Sequence, residues 1–222
     1  MKKTALLLFA FILGSCFLGD SLGKAASTAN IRIFHASTDA PNLDVYFDKE
    51  QMFSEVVFKE MSPYQTVSDG GYKMKLFPEG ADPAKDKPLL TKKLKLKADR
   101  SYTMAVIGEQ SRFDILLITD GEDSQTERAG IRFIHLSPDL PAVDVFADKE
   151  ELYSKLAYKK TGDYIKVEQK TVNIQFREGN QSNAIYEIPN LELLSGNSYT
   201  VFILGLLSGE PGLDVVITLD TK

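Results

Sequence analysis

The chain repeats itself at an offset of one hundred residues, and this duplication limits what it can fold into more than any other feature. Ile31 to Glu50 reads IRIFHASTDAPNLDVYFDKE and Ile131 to Glu150 reads IRFIHLSPDLPAVDVFADKE, identical at eleven of twenty positions. The match continues with drifting register. Phe58-Lys59 answers Tyr158-Lys159, Tyr64 answers Tyr164, Ser101-Tyr102-Thr103 answers Ser198-Tyr199-Thr200, and DILLITD (114–120) answers DVVITLD (214–220). A period this long describes tandem domains, since solenoid repeats run about 20–50 residues. The expected division is a signal segment at 1–27, a first copy at 28–120, a polar joint at 121–129 and a second copy at 130–222. With only that joint between them, the copies are expected as outward-facing beads.

Within each copy the hydrophobic period is two. Tyr72, Met74 and Leu76 alternate with Lys73 and Lys75, as Val172, Ile174 and Phe176 alternate with Asn173, Gln175 and Arg177. That pattern describes strands with one buried face. Strands are expected near 31–36, 43–48, 53–59, 64–68, 72–77, 91–97, 101–108 and 112–119, with turn residues between them. No stretch is long enough for a crossover helix, which excludes a parallel α/β fold. The expectation is therefore an all-β chain: two tandem immunoglobulin-like antiparallel β-sandwich domains after an N-terminal signal segment.

The first residues read as an address. Lys2 and Lys3 precede sixteen uncharged residues, Thr4 to Gly19, too short for a membrane span but suited to a secretory signal. Leu13-Gly14-Ser15-Cys16 resembles a lipoprotein box, and Cys16 is the single cysteine of the chain. Cleavage near Gly23-Lys24-Ala25-Ala26 is the alternative, giving a freely secreted protein. Lipidation at Cys16 is preferred, and either exit places the mature chain outside the cytoplasm. The formal charge is −5, or −7 once Lys2 and Lys3 are gone. An acidic chain has no general basic surface for nucleic acid, and any membrane attachment is expected only through the N-terminal lipid anchor.

The best-matched residues open each copy: His35, Ser37, Asp39, Pro41 and Asp44, against His135, Ser137, Asp139, Pro141 and Asp144. With the flanking Val45-Tyr46 and Val145-Phe146, this opening resembles the signature of the bacterial domain of unknown function family 4397, His-Ala-Ser-Pro-Asp-Ala-Pro-x-x-Asp-Val-Tyr. The first copy departs from it at Thr38, the second at Leu136 and Leu140. The resemblance covers the mature chain once per copy. It implies an exported β-sandwich domain, in tandem or attached to surface proteins, and implies no activity or substrate.

Read as chemistry, the motif favours a structural or binding loop. Ser and Asp bond nearby backbone amides in turns, and Pro41 fixes the following backbone angle. A Ser-His-Asp triad would need a nucleophile on a strained turn and an oxyanion hole, and no Gly-x-Ser-x-Gly occurs. Zinc would need more soft ligands than one histidine per copy. Asp39, Asp44 and Asp48 lack the spacing of a calcium loop. No metal and no cofactor are expected. Lys85, Lys87, Lys92, Lys93, Lys95 and Lys97 form a basic stretch found only in the first copy; edge-strand protection is its ordinary meaning, an anionic wall polymer the sharper one. The aromatics, without tryptophan, read as packing rather than sugar stacking.

The functional expectation is an exported, surface-anchored, non-catalytic binding or spacer protein with an extracellular or cell-wall partner. The alternative is a metal-assisted or hydrolytic extracellular enzyme using the His-x-Ser-x-Asp loops. A third reading is a ligand-binding protein with its pocket between the copies. The motif histidines are expected to be structural, with loss on substitution confined to one copy.

Overall fold

Period-two patterning becomes sixteen strands, eight per copy, in a computed structural model that describes residues 27–109, 112–121, 127–179, 181 and 183–220. Cys16 and the expected signal segment up to residue 26 lie outside those residues, as do 122–126 of the expected joint. The first copy runs β1 (Thr28–His35), β2 (Leu43–Phe47), β3 (Glu50–Val56), β4 (Gln65–Ser68), β5 (Gly70–Pro78), β6 (Leu90–Leu96), β7 (Ser101–Ile107) and β8 (Asp114–Asp120). The second runs β9 (Ala129–His135), β10 (Val143–Ala147), β11 (Glu150–Leu156), β12 (Ile165–Val167), β13 (Lys170–Glu178), β14 (Tyr186–Leu193), β15 (Ser198–Leu204) and β16 (Asp214–Leu219).

Each copy is a sandwich of two four-stranded sheets. In the first copy the orders are β4-β1-β7-β8 and β3-β2-β5-β6; in the second, β12-β9-β15-β16 and β11-β10-β13-β14. One ladder in each copy is parallel, β1 with β7 and β9 with β15, and the others are antiparallel. Alternating residues fill the space between the two sheets of a copy. Ile31, Ile33, Val45, Leu76 and Met104 do so in the first, and Ile131, Phe133, Val145, Phe176 and Val201 in the second.

The copies are not separate beads. The opposite faces of β1–β7–β8 and β9–β15–β16 pack against each other around Phe34, Ala105, Ile107, Ile134, Leu136, Phe202 and Leu204, all fully buried. The Phe34 and Phe202 rings lie 4.8 Å apart. This makes a stack of four sheets in which the two inner ones carry apolar side chains on both faces. The near-continuous apolar strands β7 and β15 follow from that, because a strand buried on both sides cannot alternate. The expectation of two domains sharing only a joint is corrected by this interface.

Candidate functional site

Both motif loops sit where an inner sheet ends. His35 closes β1 fully buried, and its Nε2 donates to the Pro41 carbonyl at 3.1 Å. His135 repeats this with Pro141 at 3.2 Å. A nitrogen facing a carbonyl must carry the proton, so Nδ1 is left as a buried atom without a hydrogen-bond partner in both copies. Each ring meets an aromatic edge, Phe58 at 6.1 Å and Tyr158 at 6.2 Å. Burial holds both imidazoles below their ordinary pKa, against the upward pull of the proline carbonyl, and favours the neutral ring.

The remaining motif groups bond into the scaffold. Ser37 Oγ donates to the Gly108 carbonyl at 2.6 Å and lies 3.3 Å from Asp39 Oδ1. Gly108 sits in the β7–β8 hairpin at φ +90°, with a carbonyl 2.3 Å from where a Cβ would stand, so only glycine fits. Ser137 is likewise 3.3 Å from Asp139, whose two oxygens accept the amides of Leu207 and Ser208 at 2.7 and 2.9 Å in the corresponding β15–β16 connection. Asp44 lies on β2, in the other sheet. Its carboxylate accepts the Glu55 amide at 3.0 Å and the Gly80 amide at 3.1 Å, and Asp144 accepts Lys155 at 2.7 Å. Glu55 and Lys155 occupy left-handed backbone, at φ 55° and 54°, where β3 and β11 bulge. The structure thus joins serine to aspartate in each loop. It brings neither to the histidine's donor nitrogen, and it puts Asp44 and Asp144 on separate strands, supporting bulges.

Sequence reasoning missed the most polar part of the core. Arg32 and Arg132 project from β1 and β9 into the interface between the copies, where they meet Asp120 and Asp220 from the ends of β8 and β16. All four side chains are almost completely buried. Arg32 Nη2 donates to Asp220 Oδ1 at 2.9 Å and Nε to Thr103 Oγ1 at 2.7 Å. Arg132 Nη2 donates to Asp120 Oδ1 at 3.0 Å and Nε to Thr200 Oγ1 at 2.7 Å. Tyr64 donates to Asp120 and lies under Arg32; Tyr164 donates to Asp220 and lies under Arg132. Burial pushes the Tyr64 and Tyr164 hydroxyls far above the ordinary tyrosine range, reinforced by the neighbouring aspartates. Burial also raises Asp120, against the pull of Arg32. The available signal was an arginine inside IRIFH and IRFIH, the same charge at the same place in two apolar strands.

Lys59 reaches Asp214 of the other copy at 2.5 Å and Lys159 reaches Asp114 at 3.5 Å, so the outer margin of the interface is bridged in both directions. Of the six lysines in the first copy's basic stretch, Lys92 also turns inward, to Asp114 at 2.6 Å. Lys85 pairs with Asp82.

On the outer sheet of the first copy, Tyr46 and Phe77 meet edge to face at 5.5 Å. With Asp48, Lys49, Lys75, Pro83 and Ala84 they line a groove of about 320 Å³. The loop 79–89 forms its wall. In the second copy the connection between the equivalent strands is shorter, at 179–185, and Arg177 covers the Phe146 ring at 4.3 Å. Among the described residues no group of three or more His, Cys, Asp or Glu side chains is placed to hold a metal ion.

No curated protein sequence matches the chain. Among solved structures, a family 26 carbohydrate-binding module from Eubacterium rectale in complex with maltoheptaose is 12% identical with a TM-score of 0.25, covering 88% of this chain and 98% of that one. A candidate cell adhesion protein from Bacteroides eggerthii is 10% identical with a TM-score of 0.27, covering 88% and 95%. Likeness this slight carries no inference about ligand. The sequence itself matches one family twice, over residues 29–145 and 129–222. Both matches begin at the first strand of a copy and run through the motif loop, and the chain belongs to the family described as Domain of unknown function (DUF4397).

Proposed function

We propose that this protein is exported, anchored at the cell surface through a lipid on Cys16, and acts there as a non-catalytic binding module. One observation carries the non-catalytic part. The Ser37 hydroxyl is donated to the Gly108 carbonyl and the Ser137 hydroxyl to Asp139, while the imidazole proton of each loop is committed to a proline carbonyl. Nucleophilic catalysis needs the serine hydroxyl on the unprotonated histidine nitrogen, and here that nitrogen, Nδ1, is buried with no hydrogen-bond partner while the serine bonds to other groups. The charge-free apolar run from Thr4 to Gly19, with Cys16 following Leu13-Gly14-Ser15 inside it, supports the export and anchoring part.

Two experiments test the reading. The full chain incubated with chromogenic ester and glycoside substrates should show no turnover above buffer; turnover lost in Ser37→Ala or Ser137→Ala would overturn it. Radiolabelled fatty acid should enter the wild-type chain in cells and not Cys16→Ala. An unlabelled wild type whose mature N-terminus falls near Ala26 would make it a freely secreted protein instead.

A further inference from the structure

The outer sheets of the two copies, built on one frame, differ in charge. On β5 and β6 the core side is taken by Met74, Leu76, Leu94 and Leu96, which puts Lys73, Lys75, Lys93 and Lys95 on the opposite, solvent face. Lys73 stands directly across from Lys93, a like-charge pair that weakens a sheet. None of the four takes part in an ion pair among the described residues. The corresponding positions on β13 and β14 are Asn173, Gln175 and Glu192, with a bulge at Asn190 where Lys93 would stand.

Protection of a sheet edge explains lysines on β6, which is an edge strand. It does not explain Lys73 and Lys75, because β5 is interior, and β14, the equivalent edge, carries no lysine. The four lysines fall along a line. Lys75, the Lys73–Lys93 pair and Lys95 succeed one another over roughly 14 Å of strand. Tyr46 pairs in register with Lys75 and puts its half-exposed ring at the end of that line, over Phe77. Asp48, also in the groove, has one carboxylate oxygen on the Lys73 amide.

We propose that this face of the first copy binds an anionic polysaccharide, the lysines on successive acidic groups and the Tyr46 ring against a sugar ring. A row of unpaired charge in an otherwise acidic protein fits an extended polyanion rather than a single small anion. The aromatic groove at its end fits a polymer of rings rather than polyphosphate. This names the ligand class for the binding reading above and rests on it.

The test uses the full chain titrated with fluorescein-labelled polygalacturonate at low and high salt, with dextran, polyphosphate and phosphatidylglycerol vesicles for comparison. Saturable binding to polygalacturonate, weakened by salt and absent for dextran, is expected. Lys73→Gln combined with Lys93→Gln should weaken it on the order of tenfold, with thermal unfolding not lowered and, since a like-charge pair is relieved, slightly raised. Lys149→Gln, exposed on the second copy, should leave it unaltered. Tyr46→Ala should weaken polygalacturonate without affecting polyphosphate. No saturable binding, or binding indifferent to the two lysines, would overturn the proposal. So would vesicles binding as tightly as the polysaccharide with Tyr46→Ala silent, which would assign the face to lipid. Cleavage of bound polygalacturonate would sink the non-catalytic reading and leave this one standing; absence of binding does the reverse.

Discussion

Arg32 of the first copy and Asp220 of the second form a buried ion pair at 2.9 Å, across an interface whose counterpart pair, Arg132 and Asp120, lies at 3.0 Å. Such groups are costly to bury and more costly to leave alone. Removing one partner strands a charge that water cannot reach, a loss of about 3–5 kcal/mol. Arg32→Ala should therefore lower the stability of both copies together, in a single calorimetric transition. Two separated transitions, with the second copy's unchanged, would show that the interface does not couple them. In a double-mutant cycle, Arg32→Ala and Asp220→Ala should be non-additive by roughly 0.5–3 kcal/mol.

The tyrosines of this cluster predict an alkaline limit. Burial and the adjacent aspartates raise both hydroxyls above the ordinary value of 10.0. A raised folded pKa favours the protonated group in the fold. Its contribution is complete below pH 10 and declines as the pH rises past that value. Thermal unfolding followed from pH 8 to 11 should show this decline, and Tyr64→Phe with Tyr164→Phe should flatten it while costing about 1–2 kcal/mol at neutral pH. An unchanged alkaline slope in the double variant would refute the assignment.

At the acid end the histidines act in the opposite sense. Their folded pKa lies below the ordinary 6.5, so the contribution present above that value is lost as the pH falls beneath it. Stability should drop between pH 7 and pH 5, and less so in His35→Ala with His135→Ala. Each single substitution should cost on the order of 1–3 kcal/mol. Because the copies share a core, the loss should not stay within one of them. Full stability with lost ligand binding would give the loops a functional role instead.

Asp44 supports a left-handed residue across the strand. Asp44→Ala should cost about 1–3 kcal/mol by leaving two amides without their acceptor. Adding Glu55→Gly should recover part of that loss, since glycine adopts φ 55° without a Cβ clash. If the glycine makes matters worse, Asp44 serves something other than the bulge.

Strand positions were legible because alternation such as Met74-Lys75-Leu76 is a local property. The parallel pairing of β1 with β7 was not, since periodicity carries no information about which strand lies beside which. The packing of the copies was hidden for a related reason. Apolar runs such as Met104 to Ile107 say that both faces are covered without saying by what. The motif's histidine, serine and aspartates stood out as identical letters, while Arg32 and Asp120, just as identical, were obscured by the apolar residues around them. The groove at Tyr46 depends on the loop 79–89 folding over Phe77, and such a loop leaves no periodic trace.

The stack of four sheets also sets where change is tolerated. An alteration on β1 or β9 must be answered by the facing copy, because Arg32 and Arg132 each donate to a carboxylate there as well as facing one of their own copy. Among the described residues the strands of the two outermost sheets make no ion pair to the facing copy, so they are free of that constraint. A tandem chain of this kind can keep one half as an unaltered partner in assembly while the far surface of the other half drifts toward a new specificity, and Lys73 and Lys75 of β5, where β13 has Asn173 and Gln175, have the character of such a divergence.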